Sequence, residues 1–228
     1  MASQDKTEKE LSSLTGDTFI SIADKFTPLP LNKPMAPSKA SFTVTMIDTE
    51  NAVSSLVDNM SNLPNNPPSI YLDLEGENLS RHGTLSIIQI YISTTNEAYL
   101  VDVHTLGNKA FVTPGTNDSD ALYSHFDVSV AGIQDIQLME VARRPSFKKY
   151  LSGLSKCIEK DGKLSTEEQQ TWLAVKDKGR GLFAPELGGS YKVFNQRPLS
   201  KDIQSYCVQD VQYLARLWKI YDAQLTSY

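Results

Sequence analysis

Asp73 and Glu75 stand two residues apart in the apolar stretch SIYLDLEGENL, Ser69 to Leu79. Side chains alternate along a strand, so residues two apart share a face. Ile70, Leu72 and Leu74 then point one way, and Tyr71, Asp73 and Glu75 the other. Two like charges side by side repel, and each resists burial. Either the pair sits on the solvated face of an edge strand, or a hard cation neutralises it. A third carboxylate is Asp210, in SKDIQSYCVQDVQYLARLWKIYDAQL, which reads as one helix capped by Ser200. Ile203, Cys207, Leu214, Leu217, Trp218, Tyr221 and Leu225 make its apolar stripe, with Asp210 near the middle and Tyr206 one turn earlier at the edge. A charge there is costly unless paired with a Lys or Arg or bound to metal. A fourth lies in NDSDALYSHF. On a helix, Asp118 shares the side of Ala121, Leu122 and His125, whereas Asp120 points toward solvent as a first-turn Asp favoured by the helix dipole. Four oxygen ligands of this kind suit paired Mg²⁺ or Mn²⁺. Two such ions about 3.5–4 Å apart can activate a water and stabilise a leaving oxygen in phosphodiester cleavage.

These residues need a strand and two helices to position them. SFTVTMI reads as a strand, and Asp48 or Thr49 can cap a helix through TENAVSSLVDNMSNL. NLPNNPPS breaks the chain before the Asp73 strand. TLSIIQIYIS and AYLVDV are two further strands, joined by a turn at TTNE. Strands joined by such short turns make an antiparallel meander. Beyond them NDSDALYSHF reads as helix, VSVAGIQDIQL as strand, and the C-terminal stretch as helix. Strands followed by alternating elements imply an α/β fold, a mixed sheet with helices against it. Residues 1–40 mix polar residues with prolines, as in FTPLPLNKPMAPSKA, and read as a flexible arm ahead of a domain over 41–228.

With these motifs on one chain, the sequence resembles the DEDD 3′–5′ exonucleases, in their RNase D-like, tyrosine-type branch. LDLEG resembles the first motif, NDSDALYSHF the second, and RPLSKDIQSYCVQDVQYLARLW the third, a Tyr followed four positions later by Asp. Position 205 is Ser, so the histidine-type branch does not fit. The nearest likeness within the family is to egalitarian-like exonuclease domains. The resemblance implies a ribonuclease H-like (DnaQ-like) fold and a two-metal 3′–5′ exonuclease acting on single-stranded 3′ ends of RNA or DNA. It implies that Asp73 binds both Mg²⁺ or Mn²⁺ ions, with Glu75 and Asp210 completing one site and Asp118 supporting the other. Tyr206 would orient or help deprotonate the attacking water, and Gln89 in IIQI is a gentler family feature. The alternative is a non-catalytic nucleic-acid or protein-binding module of the same fold. One departure is plain: the family fold needs a helix and a strand between Val103 and Asp118, and HTLGNKAFVTPGTN, broken by Pro114 and Gly115, is too short for both. The sheet is therefore expected to lack one helix and one strand.

Composition bounds the alternatives. A chain of 228 residues suits one sizeable domain with a tail. A net charge of −5 argues against a generally basic nucleic-acid coat but leaves room for an acidic site filled by cations. Cys157 and Cys207 match no zinc spacing and read as reduced thiols of an intracellular protein, nuclear or cytoplasmic and not secreted. The polar start has no apolar h-region, and no run reaches membrane-spanning length. Arg143, Arg144, Lys148 and Lys149 in ARRPSFKKY, with Lys176, Lys178 and Arg180 in KDKGRG, are either phosphate contacts or solvated faces. His82, His104 and His125 are too scattered for a metal triad. A protein partner for the domain is also open.

Overall fold

β1 (Thr43–Ile47), β2 (Ile70–Glu75), β3 (Ile87–Ile92) and β4 (Glu97–Asp102) form one sheet in the order β1-β4-β3-β2. The computed structural model describes residues 42–80, 82–111, 132–146 and 148–227. The expected meander is present: β2 pairs antiparallel with β3, and β3 with β4. β1 returns beside β4 in parallel. The TTNE turn closes with Asn96 at φ 59°, a left-handed conformation that Asn tolerates better than most residues. Thr49 caps α1 (Glu50–Met60) by accepting from the Ala52 N–H.

The period-2 pattern sorts the sheet into two faces. Val53 and Leu56 of α1 pack with Ile88, Ile90, Ile92 and Val101 on one side. Ile87, Ala98 and Leu100 face the other, against Ile203, Tyr206, Cys207 and Val208 of α6 (Lys201–Gln212). Between α1 and α6 come α2 (Val103–Leu106), α3 (Ile136–Ala142), α4 (Leu154–Asp161) and α5 (Thr166–Phe183). The last described helix is α7 (Leu214–Leu225). Among the described residues, no helix is long and apolar enough to cross a membrane. α6 lies across β2, β3 and β4 and packs on α5. Its start is fixed by Arg197, whose Nε and Nη2 lie 2.5 Å from the two Asp102 oxygens at the end of β4.

Several expectations need correction. The C-terminal stretch is two helices, not one, because the Tyr213 N–H bonds to Val211 O rather than continuing the α-helical ladder. The part of VSVAGIQDIQL that is described is not strand. Residues 132–135 are irregular, and Asp135 caps α3 by accepting from the N–H groups of Gln137 (2.7 Å) and Leu138 (3.1 Å). That local capping overrides the strand-like alternation. α4 and α5 have no counterpart in the sequence reading. The stretch after β4 forms only α2 and one 3₁₀ turn up to Phe111. Among the described residues no strand pairs with the outer edge of β2, where Ile70 and Leu72 are 37% and 42% exposed. The arm over 1–40 and the helix expected in NDSDALYSHF lie outside the described residues.

Candidate active site

β2 presents Asp73 and Glu75 on the face toward α6. The register sets Asp73 opposite Gln89 and Glu75 opposite Ile87. From α6, Tyr206 and Asp210 project one turn apart on the same side. Oxygens of Asp73, Glu75 and Asp210 all lie within 4.8 Å of one another. The carboxylates the sequence singled out on one strand and one helix therefore meet. Asp118 and Asp120 lie outside the described residues.

The surprise is a lysine. Lys176 of α5 is buried, with Nζ 2.8 and 2.7 Å from the two Asp210 oxygens and 3.4 Å from Tyr206 Oη. It also stands 4.6 Å from the centre of the Tyr206 ring. Asp210 thus has the buried ion pair that its place on the apolar stripe left open. A signal for Lys176 existed: Trp172, Lys176, Gly179 and Phe183 recur at helical spacing on one face of α5. Trp172, Lys176 and Gly179 are the buried residues of that helix.

Gly179 explains how α5 comes so close. A Cβ there would lie 2.5 Å from Tyr206 Cδ2 and 2.7 Å from Cγ, so only glycine fits without a shift. Phe183 packs on Tyr206 one turn further along, with ring centres 5.0 Å apart. Gly179→Ala is expected to push α5 away from α6, at a cost of about 2 kcal/mol for overpacking. At this size that lowers Tm by roughly 4–8 °C. A thermal melt checks it, and an unchanged Tm would mean the helices slide apart freely.

The electrostatics follow from three acids in one partly dry place. Burial, reinforced by the charge of Asp210, pushes Asp73 up to about 6, against the Leu74 N–H and Lys176. Burial, with Asp73 and Asp210 beside it, pushes Glu75 up to about 8. Burial also raises Asp210, opposed by Lys176 and the Tyr206 hydroxyl. The Tyr206 phenol is held far above its ordinary value by burial and the three carboxylates. Its hydroxyl therefore keeps its proton here, and its oxygen accepts from Lys176 Nζ.

Gln89 completes the floor. It is fully buried, and neither its amide oxygen nor its nitrogen has a hydrogen-bond partner. The Cys207 thiol beside it is too weak a group to satisfy an amide. A buried amide left this way calls for a bound water or ligand. Sequence reading had given Gln89 only a minor place.

The other basic residues are occupied elsewhere. Arg143 pairs with Asp161, tying the end of α3 to α4, and Arg144 pairs with Glu140 one turn back in α3. Lys178 pairs with Asp202 at 2.8 Å and Arg180 with Glu186 at 3.4 Å, both at the surface. Lys148 donates to Ala142 O, and Lys149 stands over the Tyr150 ring. His82 and His104 are exposed, and His125 lies outside the described residues.

Solved structures share this architecture. RNase D of Trypanosoma brucei, in its complex with GMP, matches with a TM-score of 0.60 at 21% identity, over 78% of this chain and 57% of that one. The same enzyme in complex with RNA U12 matches with a TM-score of 0.60 at 18% identity, over 79% of this chain and 63% of that one. The catalytic core of RRP6 from Trypanosoma brucei matches with a TM-score of 0.53 at 15% identity, over 85% of this chain and 51% of that one. The chain thus spans between half and two thirds of these relatives. At such identities the likeness is one of fold, the ribonuclease H-like mixed sheet flanked by helices. No curated protein matches the chain. The family model for 3′–5′ exonuclease domains matches residues 44–226, which include β2, α5 and α6 with every residue of the cluster, and the chain belongs to that family.

Proposed function

We propose that this chain is a metal-dependent 3′–5′ exonuclease that shortens single-stranded RNA or DNA from the 3′ end. The observation that carries the reading is the convergence of Asp73, Glu75 and Asp210 within 4.8 Å, beneath Tyr206, in a domain of an exonuclease family. The donor set fits hard divalent cations, since it offers only carboxylate oxygens and stands beside an unsatisfied buried amide. Asp73, Glu75 and Asp210 would hold Mg²⁺ or Mn²⁺, with Asp118 supporting a second ion. When bound, such a pair supplies an activated water and neutralises charge on the leaving oxygen. The chain's own residues supply the rest. Tyr206 Oη, held as a donor, orients the attacking water rather than taking its proton. Its ring, wedged between Gly179 and Phe183, keeps that hydroxyl fixed. The partner in the RNA U12 complex of RNase D supports a nucleic-acid substrate for this fold. Two buried free thiols, Cys157 and Cys207, support a working place inside the cell, nuclear or cytoplasmic. The egalitarian-like branch is our reading of the motif spelling, and a protein partner is compatible with it.

The test is digestion of single strands labelled at the 3′ end, with Mg²⁺ or Mn²⁺. Release of the labelled mononucleotide first, absent in Asp73→Asn, is the expected result. No release by the wild-type chain with either metal would leave the second reading, a binding module that retains the fold. One observation favours that module: Lys176 already neutralises Asp210 without any metal.

Tyr206→Phe separates the hydroxyl from the ring. Turnover should fall about a hundredfold, the usual size for losing one positioned hydrogen-bond donor at the reacting centre. Mn²⁺ affinity should change by less than about twofold, because the packing is kept. Wild-type turnover in the Phe variant would remove Tyr206 from the chemistry.

A further inference from the structure

We infer that Lys176 is a built-in counter-cation of the carboxylate cluster, which a divalent ion must displace from Asp210 in order to bind. The inference rests on the metal-dependent reading of the same site. It starts from the position of the ammonium. Nζ lies 2.8 and 2.7 Å from both Asp210 oxygens, so it stands squarely in front of that carboxylate. A Mg²⁺ ion would need one of those oxygens at about 2.0–2.1 Å. An ion bound to either oxygen would meet the like charge of the ammonium at close range.

The ammonium is also held as a ligand would be. Of its three donors, two go to Asp210 and the third reaches Tyr206 Oη at 3.4 Å, with the Tyr206 ring face 4.6 Å away. Its charge acts on Asp73 and Glu75 as well as on Asp210. One side chain thus does for three acids what the metal would do.

Displacement needs no movement of the backbone. α5 is anchored on α6 by the Gly179–Tyr206 contact, by Gln209 donating to Trp172 O at 3.0 Å and by the Lys178–Asp202 pair. The four-carbon stem of Lys176 can instead swing into the adjoining cavity of about 750 Å³, which Asp73, Glu75, Tyr206 and Asp210 also line. The consequence is a threshold. The metal-free chain carries its own charge compensation, and the metal concentration needed to fill the site is set by how firmly Lys176 holds Asp210.

The test is titration of the full chain with Mn²⁺ by calorimetry. Lys176→Met keeps the stem and removes the charge, and should tighten Mn²⁺ binding by about tenfold or more. Lys178→Met removes the same charge from an exposed pair and should change the affinity by less than about twofold. Because Lys176→Met can also loosen the fold, a second measurement uses the wild-type chain. Acylation of Lys176 by an amine-reactive ester, read by mass spectrometry, should be slow in EDTA and at least about fivefold faster at saturating Mn²⁺. Unchanged or weaker Mn²⁺ binding by Lys176→Met, or equal acylation with and without metal, overturns the inference and leaves the exonuclease reading standing. Absence of Mn²⁺ binding by wild type and variant alike overturns the metal reading and this inference together.

Discussion

Asp73→Asn and Asp210→Asn should each abolish nuclease activity, by about a thousandfold or more, yet shift the stability of the metal-free chain in opposite directions. Asp73 is raised by burial and by the charge of Asp210, so its ionised form is a burden on the fold without metal. An Asn there removes the charge, and its amide oxygen can still accept from the Leu74 N–H, now 2.9 Å from Asp73 Oδ1. Tm in EDTA should rise by a few degrees. Asp210 is different because both its oxygens accept from Lys176. An Asn there turns one acceptor into a donor facing an ammonium and leaves a buried charge short of its partner. Breaking a buried pair from one side costs about 3 kcal/mol, or roughly 6–12 °C at this size. From the like-charge cluster alone, both variants would be expected to melt at the same temperature or higher. Lys176 is the reason they part. Melts of the two variants in EDTA decide it, and a shift of the same sign in both would mean that Lys176 does not compensate Asp210.

Raising the pH from 5 to 8 should destabilise the metal-free chain by several kcal/mol, on the order of 5. Asp73 titrates at about 6 and Glu75 at about 8 in the folded chain, against ordinary values of 3.8 and 4.5. Between those limits the folded state binds more protons than the unfolded one, so unfolding becomes easier as pH rises. The contribution is complete below about pH 4 and is lost as pH passes first 6 and then 8. Asp102, Glu140 and Glu168 are shifted the other way, held low by Arg197, Arg144 and Arg216. Their contribution is lost only in acid, so the window from 5 to 8 isolates the cluster. Divalent metal favours the ionised carboxylates, and the gain in Tm from Mn²⁺ should therefore grow across the same window. Urea unfolding at several pH values, with and without EDTA, checks both slopes. A flat profile in EDTA would mean that the acids are solvated and the cluster is looser than described.

Whatever has a short period along the chain was legible in the sequence. Alternation alone put Asp73 and Glu75 on one face of β2, and the i, i+4 spacing put Tyr206 and Asp210 on one face of α6. Turn residues and β-branched runs marked the meander from β2 to β4. Where a cap competes with a pattern, the reading failed: Asp135 starts a helix inside a stretch that alternates like a strand. The break at Tyr213 escaped too, since the apolar stripe runs through it and Leu214, Leu217, Trp218 and Tyr221 stay buried. What only the tertiary structure decided is who meets whom. The partner of Asp210 lies 34 residues earlier, on a helix whose approach depends on one missing Cβ at Gly179. The same holds for Gln89, an ordinary strand residue until α6 covers it and shuts off water from its amide. Periodicity reports which face a side chain takes within its own element. Charge compensation and desolvation depend on distances between elements, and those are set by the packing of helix on sheet.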